Sequence, residues 1–203
     1  MLAGTNTKRN EMRDRAYLIV KDVIERRADG RPKHAEPLDA FADAMDRLGY
    51  GPFRLWWTQI VTELRHSNPQ SAPVSVLVLA AALVEGALTF VVKHARELGL
   101  GVLGSKSFED NPRTWKIDDL VSSAAAGRDS AILDGPTRQR ADGLIRNRQR
   151  IHAGRMLSEF PGGVPDLHPD EAREAKAVTE QVVRSVLDWL GKYPPSGTSP
   201  PES

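Results

Sequence analysis

Cysteine is missing from all 203 residues, which excludes disulfides and thiolate metal sites. His34, His66, His94 and His168 show no ligand spacing with one another, so neither a metal site nor a cofactor is expected. No P-loop, G-x-G-x-x-G or G-x-S-x-G occurs, which removes the phosphate-cradling loops and the hydrolase nucleophile elbow. No stretch alternates convincingly at period two, and this leaves an all-α fold. The formal charge is only +1, so the molecule as a whole does not attract polyanions. Any nucleic-acid affinity must come from local clustering of charge. Met1-Leu2-Ala3-Gly4-Thr5-Asn6-Thr7-Lys8-Arg9 leads straight into charged sequence without an apolar signal segment, so the cytoplasm is the expected location.

What is present suits a single helical domain with tails, long enough to bury a core without staples. Residues 1–9 are polar and expected to be disordered. Residues 10–67 read as a helical N-terminal extension. Its first helix, Glu11 to Arg27, carries Met12, Ala16, Leu18, Ile19, Val23 and Ile24, and ends at Asp29-Gly30-Arg31-Pro32. Leu38, Phe41, Ala42, Met45 and Leu48 mark a second helix, and Phe53 to Leu64 a third. Of Trp56 and Trp57, at least one is expected in the core. Ser67 to Pro73 breaks the pattern, and residues 73–192 then form the main bundle. Pro73 suits the first turn of a long apolar helix, Val74 to about Leu98, closed by Gly99 and Gly101. This segment is long enough to cross a bilayer. Glu85 within it opposes that reading, and a buried central helix is expected instead. A loop runs to Pro112, followed by a short helix from Trp115 to Ala126 with Ile117, Leu120 and Val121 inward. Asp134-Gly135-Pro136-Thr137 turns into the next helix. Phe160 to Pro165 is a loop. A last helix, Asp170 to about Gly191, turns Val178, Val182, Val183, Val186, Leu187 and Leu190 inward. Residues 193–203 are a Pro- and Ser-rich tail expected to be disordered. The sum is a bundle of about six to seven helices.

The chemistry concentrates in Leu144-Ile145-Arg146-Asn147-Arg148-Gln149-Arg150-Ile151-His152-Ala153-Gly154-Arg155. Six arginines (138, 140, 146, 148, 150 and 155) share the stretch 138–155 with one acid, Asp142. Guanidinium is always charged and grips phosphate, and imidazole moves protons near neutral pH. On a continuous helix Arg148 and His152 lie about 40° apart and share a face, whereas Arg146 lies about 120° from His152 and reaches it only through a kink or a spanning ligand. The set suits RNA cleavage without a metal. His152 acts as general base or acid, Arg146 stabilises charge on the phosphate oxygens, and Asn147 orients the phosphate or the imidazole. The plainer reading is a solvated arginine face with local ion pairs. Glu85 has two readings, a structural acid paired with an arginine of the motif helix, which is favoured, or a member of the site.

Arg146-Asn147-x-x-x-x-His152 resembles the signature of the HEPN superfamily, an Arg, usually with a polar residue after it, and a His four to six residues on. The apolar helix with Val84-Glu85-Gly86-Ala87-Leu88 and the Ile151-His152-Ala153-Gly154-Arg155 ending are similar to that family as well. The resemblance covers roughly residues 73–192. Arg148 with Gln149 is a shorter phasing of the same motif, and Asn147 favours Arg146. The resemblance implies a HEPN-like helical bundle and a metal-independent endoribonuclease leaving 2′,3′-cyclic phosphate ends, with Arg146, Asn147 and His152 at the reaction. Arg148, Arg150, Arg155 and Glu85 then bind RNA or support the site. It further implies a homodimer with the motif helices facing each other across one cleft. A role as toxin or in phage defence follows, with RNA as ligand and an antitoxin or nucleotidyltransferase-like protein as partner. Many members of the family serve instead as non-catalytic binding or dimerisation modules.

Overall fold

Proline and cap chemistry set most of the helix starts. The computed structural model describes residues 36–47, 50–97, 115–126, 131–151 and 167–192. Among these residues there are six helices and no strand: α1 (Pro37–Arg47), α2 (Gly51–His66), α3 (Pro73–Glu97), α4 (Ile117–Ala124), α5 (Gly135–Arg150) and α6 (Pro169–Lys192). Pro37, Pro52, Pro73, Pro136 and Pro169 each stand in a first turn, where a missing N–H breaks no intrahelical bond. The expected all-α bundle is therefore present. The expected helix at 11–27, the loops at 99–112 and 160–165, and both tails, 1–9 and 193–203, lie outside the described residues.

α3 is the centre of the bundle. Val76, Leu77, Ala80, Ala81, Leu83, Val84, Ala87, Leu88, Val91 and Val92 are all fully buried, more than one stripe can hold, because α2, α4, α5 and α6 pack around it. The stretch Pro73–Ala95 is long and apolar enough to cross a membrane, but 61% of its most apolar window is covered by the rest of the protein, as in the core helix of a soluble protein.

α6 makes the largest interface with α3. Its Val178, Val182, Val183, Val186, Leu187 and Leu190 are buried, as their spacing predicts. Thr179 is buried where the two helices meet. Its hydroxyl lies 2.8 Å from the Ala175 carbonyl of its own helix and 3.3 Å from the Ala80 carbonyl of α3, which satisfies a polar group in an apolar contact.

The helices before Pro73 join the same core. Trp57 is the buried member of the tryptophan pair, and its Nε1–H donates to the Leu38 carbonyl at 2.9 Å. Phe41 packs against it with ring centroids 4.4 Å apart. Arg65 in the last turn of α2 grips Asp39 at 2.8 Å and also Glu36, which holds the start of α1 against the end of α2. One continuous hydrophobic cluster thus runs from Leu38 to Leu190. α4 is shorter than its spacing predicts. It starts at Ile117, and Trp115 is buried just ahead of it.

Candidate functional site

α5 carries the arginines, and its start is sharply defined. Asp134 accepts a hydrogen bond from the Thr137 N–H at 2.8 Å, an N-cap that satisfies one of the free donors of the first turn. Hydrogen bonding from the Thr137 side chain and then from its backbone holds the Asp134 carboxyl below its ordinary range. Thr137 is itself buried, and its Oγ1 accepts from Gln181 Nε2 at 2.7 Å. Ala141, Leu144 and Ile145 continue this inward face.

The arginines divide into two groups. Arg140 bonds Glu174 of α6 at 2.7 Å and also reaches Gln181. The Glu174 contact raises its pKa further above the ordinary guanidinium value. Arg150 bonds Glu171 of α6 at 2.8 Å. Arg138 lies 3.7 Å from Asp142 one turn along its own helix, a weak pair. Next to Arg150, Gln149 reaches Asp118 of α4 at 3.3 Å. Arg146 and Arg148 are different. Both are exposed, and neither they nor the half-buried Asn147 makes a side-chain hydrogen bond or ion pair among the described residues. One turn earlier, a Cβ placed on Gly143 would meet no atom within 4 Å, so that side of α5 is open. Cationic residues also suit the negative end of the helix dipole, which supplies a structural reason for arginine there.

The helical register stops before the histidine. α5 ends at Arg150, and the Ile151 N–H turns back to the Arg148 carbonyl at 3.2 Å. The shared face of Arg148 and His152 required an unbroken helix through both, so that geometry is not built by α5. The path of the chain after Ile151, and not the angle on a helical wheel, then decides which arginine meets the imidazole. His152 and Arg155 lie outside the described residues.

The expected partner of Glu85 is an arginine of the motif stretch, of which Arg155 lies outside the described residues. Glu85 sits half-buried on α3, and among the described residues no ion pair joins it to an arginine of α5. The Arg140–Glu174, Arg150–Glu171 and Gln149–Asp118 links were missed from sequence. The one available signal was the acid-rich start of α6, with Asp170, Glu171 and Glu174 facing an arginine-rich helix.

No protein-family model, characterised protein or solved structure matches this chain.

Proposed function

We propose that this chain is a metal-independent endoribonuclease of the HEPN type. The observation that carries the reading is the contrast along α5. Arg140 and Arg150 are held by carboxylates of α6, whereas Arg146 and Arg148 stand exposed without such partners at the end of the helix, directly ahead of His152. Uncommitted guanidiniums beside an open surface are what a phosphodiester requires. Arg146 places its charge on the non-bridging oxygens and Asn147 orients the phosphate. His152 takes the proton of the 2′-hydroxyl, and O2′ bonds to phosphorus. The P–O5′ bond breaks and the leaving oxygen receives a proton, which gives a 2′,3′-cyclic phosphate and a 5′-hydroxyl. Arg148 and Arg155 assist RNA binding. Arg150 is held by Glu171, and Glu85 remains a supporting candidate. A cytoplasmic homodimer, toxin or phage-defence activity and an antitoxin or nucleotidyltransferase-like partner belong to the same reading. Incubating the protein with RNA in EDTA and mapping the fragment ends tests it.

A second reading is favoured by the number of groups on α5 that are already engaged. With Arg140, Gln149 and Arg150 holding α5 to its neighbours, a non-catalytic module that binds RNA or another protein needs only the exposed Arg146 and Arg148. Binding without cleavage distinguishes it.

A further inference from the structure

α3 keeps an apolar face that nothing among the described residues covers. Val74 and Val78 are 42% and 44% exposed, and Ala82, Glu85 and Thr89 continue the same side of the helix, half-buried. Along its edge lies Trp56 of α2, 37% exposed, with its ring over Gly86. An uncovered strip of this kind on a helix otherwise sunk in the core marks a docking surface.

We propose that residues 11–27 of the same chain dock on this face as a further helix. The first argument is where the chain enters. Glu36, the first described residue, is held by Arg65 in the last turn of α2, and the short turn 67–72 leads from that end into Pro73. The preceding chain therefore arrives at the end of the bundle that carries Val74 and Val78. Residues 28–35 span up to about 26 Å when extended, enough to reach the strip. The second argument is spacing. Met12, Ala16, Ile19 and Val23 recur at intervals of four, three and four, as do Val78, Ala82, Glu85 and Thr89. Both stripes rise about 16 Å. Asp14, Lys21 and Glu25 fall on the opposite side of the 11–27 wheel, which suits solvent. A helix leading into Glu36 runs antiparallel to α3, with Val23 toward Val78 and Met12 toward Thr89. Arg13 then lies near Glu85 and supplies a cation for that half-buried carboxylate. The docking is independent of the chemistry at Arg146.

The absence of native cysteine makes the test clean. Val78→Cys is combined in the full chain with Met12→Cys, Ala16→Cys, Ile19→Cys or Val23→Cys in turn, and with Lys21→Cys as the opposite-face control. Each variant is oxidised with diamide, and circular dichroism checks its fold. Val74→Cys replaces Val78→Cys where the latter perturbs the helix content. The expected result is a disulfide within one chain, at monomer mass, for at least one stripe cysteine, and none for Lys21→Cys. A disulfide joining two chains assigns the face to a second copy and overturns the proposal. Failure of every stripe cysteine to cross-link, or equal cross-linking of Lys21→Cys, overturns it as well.

Discussion

Arg150 donates to the Glu171 carboxylate at 2.8 Å, tying the last residue of α5 to the first turn of α6 one residue before the chain leaves the described helix at Ile151. Both side chains are about one-third exposed, so the pair is partly desolvated and better placed than a fully solvated one. It gives the end of α5 a fixed position at the point where the motif begins its approach to His152.

Removing either partner should loosen that end. In a double-mutant cycle, Arg150→Ala and Glu171→Ala should couple by about 0.5–1 kcal/mol, and added salt should weaken the coupling. Zero coupling at low salt would show that the pair does not hold α5.

The two exposed arginines should behave differently from Arg150. Arg146→Ala and Arg148→Ala should each change unfolding free energy by no more than about 0.5 kcal/mol, since neither has a side-chain partner among the described residues. Arg146→Ala should nonetheless reduce RNA cleavage by about 100-fold or more, as loss of a transition-state charge stabiliser does, and Arg148→Ala by less. A larger loss from Arg148→Ala would move the motif arginine to that position. Single-turnover rates decide between them.

The elements were largely legible because their signals are local. Pro73 announced a helix start, Asp134-Gly135-Pro136-Thr137 announced a turn into the next helix, and the valines of α6 announced its inward face. Glu85 argued for a core helix, and most of the apolar stretch of α3 is buried in the bundle. The candidate site was legible only as a list of residues. Whether Arg140 meets Glu174, or Arg150 meets Glu171, depends on how two helices distant in sequence are packed, and periodicity carries no record of that. The same holds for the tryptophans. Adjacent positions differ by about 100° on a helix, which buried Trp57 and left Trp56 at the surface, but nothing local said which would be which. The end of α5 at Arg150 left no local mark for another reason. Arg148 to Arg150 are good helix formers, and their propensity gave no warning that the helix stops before His152.

Asp134→Ala should destabilise the protein by about 1 kcal/mol through the lost N-cap. The native carboxyl titrates below its ordinary value of 3.8. Its ionised form therefore stabilises the fold fully above the unfolded value, and this contribution is lost as pH falls through the folded one. The stability gap between native protein and Asp134→Ala should hold at neutral pH and shrink below about pH 3.8. Urea melts at a series of pH values measure it, and a gap that widens in acid would contradict the capping role.

Gly86 leaves room for the Trp56 ring, whose Cζ3 lies 2.9 Å from where a Cβ would stand. Gly86→Val should push that ring outward and cost about 1–3 kcal/mol from overpacking. A red shift of tryptophan emission in the folded state is the expected signature, and an unshifted spectrum at full stability would show that Trp56 moves aside freely.

The most direct test of the ribonuclease assignment compares the native protein with His152→Ala on RNA in EDTA, with both confirmed folded by circular dichroism. The expected result is fragments ending in 2′,3′-cyclic phosphate and 5′-hydroxyl from the native protein, and none from His152→Ala. Intact RNA with the native protein, or undiminished cleavage by His152→Ala, contradicts it.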